Sequence, residues 1–357
     1  CGTAERLINY AAACPQTVTI GIDIDESAIA QGQQHAAALG CQNIELFAAG
    51  LGDLLAVDPG EFDYIIIHGA FAHVGKAERE ALLRWCQTHL SAHGIIATRW
   101  SVLPGDGFRS SLRQALQFHL ERAEEGADLL ASARAMLSFL LVALKDGEFR
   151  NLVLAAEQMD DLTFTLTWLN QEETASTLTD FNVLTEDAGL QYLGDLMPQY
   201  ELGGYYGSAT SQTLNAVSVG LNRVASQQYL DYAVQRGQRF SLLRQRQATV
   251  TPAMPDLLQL QNLHWAGNFV QLRNDKGKES RAFTNGQGET VFTDNRISIR
   301  LMHLLGSAWP MSLSFEQLVF NCRDPESHDD IRDKVWESLQ ALFMKCSNGL
   351  YWSASPG

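Results

Sequence analysis

Three short stretches of the sequence carry residues suited to binding a ligand. The stretch "FDYIIIHGAFAHV" (62–74) runs from apolar residues straight into His68. The stretch "TVTIGIDI" (17–24) brings Asp23 to the end of a β-branched segment, and "CGTAERL" places Gly2 just before a helical pattern. A glycine lets the backbone approach a ligand, a helix start offers free N–H groups, and an acidic group about 20 residues on can accept both hydroxyls of a ribose. The pattern predicts a nucleoside site.

The elements that would position these residues alternate in type over the first hundred residues. The predicted strands are 17–24, 43–49, 62–68 and 94–100, and the predicted helices are 26–38 and 77–90, the second stopped by the pair His93-Gly94. Such alternation predicts a parallel, doubly wound sheet, which binds ligands outside the carboxyl ends of its strands. Gly50 and Leu51 follow one strand and Trp100 ends another, so they join the candidate site. We expect the sheet's first strand, which would precede Gly2, to be absent from this chain.

The pattern changes after these hundred residues. Residues 108–159 read as long helices with leucine spacing, and residues 160–250 remain mostly helical with short breaks. The tail combines helical patterns with strand patterns around turns, which is typical of a small winged-helix-like module. We therefore predict an α/β protein with a doubly wound, Rossmann-like domain over residues 1–115, a helical middle domain over 116–250 and a small winged-helix-like α+β domain over 251–357.

Composition and charge argue against several classes of function. The 357 residues carry a formal net charge of −15 at pH 7, which disfavours nucleic acid as a partner because phosphate binding relies on Lys and Arg. No run of about 18 apolar residues is present, so no membrane span is predicted. The six cysteines form no CxxC pair and no metal-ligand spacing, which indicates reduced thiols in a cytoplasmic protein and no metal site. The opening "CGTAERL" looks like the middle of a motif, so we expect residues before Cys1, and a targeting segment there stays open.

These stretches, taken together, resemble a known family. "CGTAERLINYA", "IGIDIDESAIAQGQ" and "FDYIIIHGAFAHV" are similar to the glycine motif, the acidic loop and the fourth-strand motif of class I S-adenosylmethionine-dependent methyltransferases. The stretch from "FDYIIIHG" to "RWSVLPG" resembles the bacterial subgroup that carries a methyltransferase regulatory domain and includes protein-lysine methyltransferases acting on outer-membrane proteins. The segments 178–196 and 227–245 are similar to that regulatory domain, so the resemblance covers most of residues 1–245.

The resemblance implies a role for each candidate residue. The residues expected to bind S-adenosylmethionine are Gly2, Thr3, Asp23, Ile24, Gly50, Leu51, His68 and Gly69. The residues expected to face the acceptor are Phe71, His73 and Trp100, with Trp100 alternatively a core residue at the end of its strand. The candidate catalytic bases are His68 and His73, which otherwise orient the acceptor. Gly50 stands where methyltransferases often have an acidic residue that contacts adenine, so backbone groups must serve here. His73 and Trp100 also depart from the family pattern, which indicates a rebuilt acceptor site.

Three hypotheses of function follow. The first is a cytoplasmic methyltransferase that transfers the methyl group of S-adenosylmethionine to a protein lysine or another large acceptor. Its leucine-rich helices at 108–145 would form either core or the face of a homodimer. The second is a non-catalytic protein of the same fold with a regulatory or scaffolding role, which the altered acceptor loop motivates. The third is an NAD-dependent oxidoreductase on a similar sheet, which the stretch at 62–74 disfavours.

Overall fold

A computed structural model describes residues 1–124, 126–169, 175–246, 254–273, 279–323, 331–346 and 349–355. The side chains of Ala72, His73, Leu166, Glu279 and Ser280 lie outside this description. The chain forms two compact units, Cys1–Leu193 with Gln235–Val250 and Gly194–Val234 with Thr251–Gly357. Each unit has a hydrophobic core of its own.

The first unit begins with alternating helices and strands, as predicted. In chain order they are α1 (Glu5–Ala13), β1 (Thr19–Asp23), α2 (Glu26–Ala38), β2 (Ile44–Ala48), α3 (Leu51–Leu55), β3 (Phe62–Ile67), α4 (Lys76–Thr88) and β4 (Leu90–Ser101). Asp25 caps α2, as its Oδ1 accepts hydrogen bonds from the N–H groups of Ser27 and Ala28 at 2.9 and 3.0 Å. A short 3-10 helix, Ala70–His73, lies between β3 and α4.

The end of α4 differs from the prediction. The helix stops at Thr88 rather than at His93-Gly94, and β4 begins already at Leu90. The physical reason is strand pairing, because Leu90 lies opposite Phe62 at the start of β3. Pairing of Leu90 with β3 therefore ends α4 several residues before Gly94.

A cluster of helices follows β4. It consists of α5 (Gly107–Leu120), α6 (Leu129–Ala143), α7 (Glu148–Glu157) and α8 (Asp161–Phe164), and α8 continues into a π-helical turn, Thr165–Leu169. Leu112, Leu137 and Phe164 are fully buried in this cluster. The leucine pattern predicted in this region thus serves, at least in part, to build a core.

Two strands interrupt the remainder of the region that was predicted to be mostly helical. The elements are α9 (Leu178–Asp187), β5 (Leu190–Asp195), α10 (Ser208–Val217), α11 (Arg223–Val234) and β6 (Gln238–Gln245). The prediction for residues 160–250 is therefore wrong for β5 and β6. The two strands also explain why the compact units differ from the three predicted domains, since β6 and most of β5 fall in the first unit.

The strands of the first unit form two hydrogen-bonded groups. β1 and β2 are parallel, with Asp23 opposite Ala48. β3 and β4 are also parallel, and β6 runs antiparallel to β4, with β5 beyond it. Among the residues that the structure describes, β1 and β3 do not pair with each other. The α/β class is confirmed, whereas the expectation that the sheet's first strand is absent stays a prediction.

The second unit contains α10 and α11 and then a mixed α+β region. The latter consists of β7 (His264–Gly267), β8 (Val270–Arg273), β9 (Glu279–Thr284), β10 (Thr290–Phe292), α12 (Arg296–Ala308), β11 (Leu313–Ser314), α13 (Phe315–Cys322), α14 (Arg332–Lys345) and β12 (Leu350–Ser353). Its two antiparallel sheets have the strand orders β11–β7–β12 and β10–β9–β8. The order helix, strand, helix, helix, strand from α12 to β12 is that of the predicted winged-helix-like module. Within the described ranges, no helix combines the length and the apolar character needed to cross a membrane.

Candidate functional site

Asp23 holds the glycine turn at the start of the chain against the end of β1. Its Oδ2 accepts a hydrogen bond from the Gly2 N–H at 2.7 Å, and its Oδ1 accepts one from the Asp25 N–H at 3.1 Å. Burial raises the pKa of Asp23, but the pKa is lowered overall, and these two N–H groups contribute to the lowering. The carboxylate is therefore charged at neutral pH. Since a carboxylate offers about four acceptor positions, Asp23 keeps capacity for a hydroxyl group of a ligand.

The turn at Gly2 and Thr3 lies close to α2 because that helix carries a glycine there. A Cβ on Gly32 would lie 2.8 Å from the carbonyl oxygen of Thr3, closer than side chains tolerate. Gly2 itself has a φ of +57°, and a Cβ on it would meet nothing within 4 Å. The turn thus has packed backbone on one side and open space on the other, as a backbone cradle for a ligand requires.

Ile24, Gly50 and Leu51 lie together beyond the ends of β1 and β2. A Cβ on Gly50 would lie 4.0 Å from Cδ1 of Ile24. Gly50 precedes α3, its N–H donates to Oδ2 of Asp53 at 3.0 Å, and Leu51 is the first residue of that helix. The side chain of Ile24 is 79% exposed. An exposed apolar side chain beside backbone polar groups suits one face and one edge of a nucleobase.

His68 follows the end of β3, and Gly69, with a φ of +92°, turns the chain after it. Burial lowers the pKa of His68 below its ordinary value of 6.5, and the positive charges of Arg99 and Arg6 lower it further. The imidazole is therefore neutral at pH 7.

Phe71 and Trp100 are core residues, which corrects the expectation that they face an acceptor. Phe71 is fully buried, and its ring meets that of Phe181 edge-on at 5.7 Å. Trp100 stacks on the same Phe181 ring at 4.2 Å, and its Nε1 donates to Oγ of Ser241 at 3.0 Å. The reason is that α9 and β6 cover this part of the sheet, a cover that the helical prediction did not include. The side chain of the third acceptor candidate, His73, lies outside the described part of the chain.

A row of residues across three strand ends was missed by sequence reasoning. Ile67 of β3 lies opposite Thr98 of β4, so that His68 and Arg99 follow on neighbouring strands. Arg99 in turn lies opposite Phe240 of β6, whose ring is 6.4 Å from that of His68. The Nε of Arg99 donates to Oε1 of Gln238 at 3.2 Å, and Nη2 donates to the same oxygen. We refer to His68, Arg99, Gln238 and Phe240 as the strand-end row.

The signal for this row was present in the sequence. Gln238 and Phe240 lie in the segment 227–245 that resembles a regulatory domain, and they alternate along a strand. Reading that segment as a strand would have placed both side chains next to His68.

A separate cavity of about 780 Å³ lies within the second unit. Its lining comes from the 3-10 helix Gly203–Tyr206, from α10, from the start of α11 and from α14. None of the predicted site residues lines it. The strand ends of the first unit, and not this cavity, therefore carry the chemistry that the sequence indicates.

Two family descriptions match the chain. The family described as "Methyltransferase domain" matches residues 1–94, and the family described as "Predicted methyltransferase regulatory domain" matches residues 166–245. The first match contains β1 to β3, and the second ends at the last residue of β6. The two matches together contain every residue of the strand-end row except Arg99.

Curated relatives come from Rickettsia prowazekii. The chain is 27% identical to the uncharacterized protein RP789 over 252 residues, which covers 68% of this chain and 44% of that protein. It is 27% identical to the uncharacterized protein RP028 over 147 residues, which covers 41% of this chain and 58% of that protein. The chain thus spans about half the length of the curated relatives it matches.

Solved structures share the fold over almost the whole chain. The structure of PKMT2 from Rickettsia typhi in complex with AdoHcy superposes with a TM-score of 0.73 at 20% sequence identity, covering 99% of this chain and 70% of that one. A second structure of the same protein gives a TM-score of 0.74 with the same identity and coverage.

The first family match identifies residues 1–94, which contain the Gly2–Asp23 turn, as a methyltransferase domain, and the cofactor of such a domain is S-adenosylmethionine. The second match identifies residues 166–245 as a methyltransferase regulatory domain. The residues present fit the cofactor, because the charged Asp23 suits ribose hydroxyls and the exposed Ile24 beside Gly50 suits adenine. The resemblance stated from the sequence is thereby confirmed.

Proposed function

We propose that this chain transfers a methyl group from S-adenosylmethionine to a nucleophilic side chain of a protein, and that the side chain is a lysine. The observation that carries the proposal is the hydrogen bond from the Gly2 N–H to Asp23 at the end of β1, with Ile24 and Gly50 close to each other beyond the ends of β1 and β2. These residues supply a backbone cradle, a charged acceptor for the ribose and an apolar contact for the base. Ligands of such sheets bind at this edge.

The chain's own residues would bind and orient the reactants. When bound, the cofactor supplies a sulfonium whose methyl carbon is the electrophile, so the protein contributes mainly alignment and exclusion of water. His68, held neutral by burial and by the charges of Arg99 and Arg6, would lie near the sulfonium without repelling it. A lysine acceptor has an ordinary pKa of about 10.4 and must lose a proton, which His68 would accept or pass to water.

Two features support a protein acceptor and a cytoplasmic location. The segments 178–196 and 227–245 resemble a subgroup that includes protein-lysine methyltransferases, and the fold is that of PKMT2. All six cysteines are free thiols, which is usual in a reducing compartment. We propose both assignments on these grounds.

Titration calorimetry on the full-length protein tests the cofactor site. Asp23→Asn should weaken binding of S-adenosylmethionine about tenfold or more, because charge-assisted hydrogen bonds to the ribose are lost. Asp187→Asn, which changes an exposed carboxylate at the end of α9, is the matched control and should bind as the wild type does. Absence of binding to the wild type at high micromolar cofactor, or unchanged binding in Asp23→Asn, would overturn the proposal.

Transfer of a labelled methyl group to whole-cell lysate tests the reaction. We expect label in one or a few proteins, and mass spectrometry should locate it on lysine. Label on another residue type would keep the methyltransferase and reject the lysine.

A second candidate function is a non-catalytic protein of the same fold that binds the cofactor and regulates a partner. The observation in its favour is that Phe71 and Trp100, expected at the acceptor, are buried against Phe181. The labelled-methyl assay separates the two candidates. Incorporation by the wild type, with loss of incorporation in Asp23→Asn, dismisses the non-catalytic function.

A further inference from the structure

Arg99 is held in a defined orientation at the strand ends. Its Nε and one Nη2 hydrogen both point at Oε1 of Gln238, which leaves its other N–H groups directed away from that amide. Phe240 lies opposite Arg99 on β6, the strand between β4 and β5. Its ring and that of His68 meet edge-on. A guanidinium fixed on an uncharged amide keeps its full positive charge for another partner.

The surroundings of Arg99 are unusual for so acidic a chain. The protein carries 41 acidic residues against 26 basic ones. Within the described part of the chain, however, neither Arg99 nor Arg6 pairs with a carboxylate, and both act on His68 as positive charges. Both side chains are exposed. Two guanidinium groups that act on the same imidazole would both be stabilised by an anion beside them.

We propose that Arg99, oriented by Gln238 and assisted by Arg6, forms a carboxylate-binding subsite beside His68. The inference rests on the proposed methyltransferase function and specifies what the site recognises. A guanidinium fork matches a carboxylate in two-point geometry. The carboxylate has two sources, the amino-acid part of S-adenosylmethionine and an acidic side chain next to the methylated residue of the acceptor. The experiment below distinguishes them.

The chain supplies a matched control for this test. On β6, the strand that carries Gln238, Nε and Nη2 of Arg244 donate to Oε1 of Gln191 at 3.1 and 2.9 Å, which repeats the Arg99–Gln238 arrangement. Arg244 lies at the other end of β6, beside Leu243, which pairs with Ile96. Arg244→Gln therefore removes the same bonds away from the subsite.

The variants are Arg99→Gln, which removes the charge, and Gln238→Glu, which places a carboxylate on Arg99 and so occupies it. Calorimetry on the full-length protein compares S-adenosylmethionine with 5′-methylthioadenosine, which lacks the amino-acid carboxylate. If the cofactor supplies the carboxylate, both variants should bind S-adenosylmethionine about tenfold more weakly and should bind 5′-methylthioadenosine as the wild type does. A general structural defect would weaken both ligands alike, and that outcome overturns the proposal.

If the acceptor supplies the carboxylate, cofactor binding should be unchanged in both variants. Labelled-methyl incorporation into lysate at saturating cofactor should then fall about tenfold, and Arg99→Lys, which keeps the charge, should recover part of it. Variants that match Arg244→Gln in both binding and incorporation would overturn the subsite. Failure of the wild type to bind S-adenosylmethionine at all would instead overturn the proposed function, so the two failures are distinguishable.

Discussion

His68 is an exposed imidazole, and the charged side chains that shift its pKa are the cations Arg99 and Arg6. Burial and the charges of Arg99 and Arg6 hold its pKa below 6.5. Since the native state binds the proton less readily than an unfolded chain, protonation of His68 opposes folding as pH falls below 6.5, and the effect vanishes above it. Arg99 and Arg6, which help to keep His68 neutral, would also bind an anion beside it.

The pKa of His68 can be measured by NMR titration of the labelled imidazole. We expect a value below 6.5 in the wild type and a higher value in Arg99→Gln, because a repelling charge is removed. The requirement for neutral His68 should lower methyl transfer in acid, whereas deprotonation of the lysine acceptor should make transfer increase with pH above 7. A wild-type pKa above 6.5, or no change in Arg99→Gln, would contradict this account.

Gly32 is the second residue whose type is set by geometry. A Cβ at this position would approach the carbonyl of Thr3, which is backbone and cannot swing away. Gly32→Ala should therefore destabilise the protein by about 1–3 kcal/mol and weaken cofactor binding, since the turn at Gly2 must move. Gly52→Ala, in α3 with nothing within 4 Å of its Cβ, is the control and should be neutral or slightly stabilising. Urea unfolding and calorimetry measure both effects, and equal behaviour of the two variants would refute the argument.

At the scale of elements, α9, which belongs to the regulatory segment, packs against Phe71 and Trp100. Phe181 of this helix is almost fully buried. Its ring meets the ring of Phe71 edge-on and stacks on the ring of Trp100. Aromatic pairs of this kind contribute beyond their buried area. α9 thus fixes the residues directly beneath the strand-end row.

Removing that ring should be costly. Phe181→Ala should lower the free energy of unfolding by about 3–5 kcal/mol, because a large cavity forms beneath Trp100. Val183→Ala, on the same helix but 53% exposed, should change it by less than about 0.5 kcal/mol. Urea unfolding followed by tryptophan fluorescence compares the two. A small effect in Phe181→Ala would show that the aromatic stack is not needed for the fold.

Elements with regular local patterns could be predicted from the sequence, whereas β6 was missed. The helix at 26–38 was predicted to the residue because Asp25 caps it and its pattern is unbroken. In β6 the buried positions include Arg239 and Ser241, whereas Phe240 is only half-buried. Burial of polar side chains beside a less buried aromatic departs from the usual alternation. Arg239 is accommodated by tertiary partners such as the hydroxyl of Tyr192, which no local pattern reveals.

The residues of the candidate site also divide into those that could be predicted from the sequence and those that could not. Gly2, Asp23, Ile24 and Gly50 follow predicted strands, and the prediction that they lie at one edge needs only the parallel sheet. The burial of Phe71 and Trp100 depends on α9 and β6, which are distant in sequence. That part of the site could not be predicted, because long-range strand pairing overrides local pattern.

At the scale of the whole molecule, the methyltransferase and regulatory segments share one sheet. The methyltransferase match ends at residue 94, inside β4, and the regulatory match supplies β5 and β6. β6 pairs with β4 along six residues of each strand, from Ile96 to Ser101. The regulatory segment is therefore part of the scaffold that carries the site.

A shortened chain of residues 1–165 tests this view. It retains the methyltransferase match but lacks α9, β5 and β6, so β4 keeps β3 but loses β6, and Trp100 loses its contacts with Phe181 and Ser241. We expect no cooperative unfolding transition in urea and no binding of S-adenosylmethionine, in contrast to the full chain. A cooperative transition with bound cofactor would mean that the regulatory segment is a separable module.

The bond from Trp100 to Ser241 joins residues 141 positions apart in the chain. During synthesis on the ribosome, β4 emerges long before its neighbour β6 has been translated, and its edge stays open throughout that interval. Open edges of this kind recruit other chains or chaperones. The time needed to translate the intervening helices thus becomes a period of vulnerability for the nascent protein, which ends only when Gln245 leaves the exit tunnel.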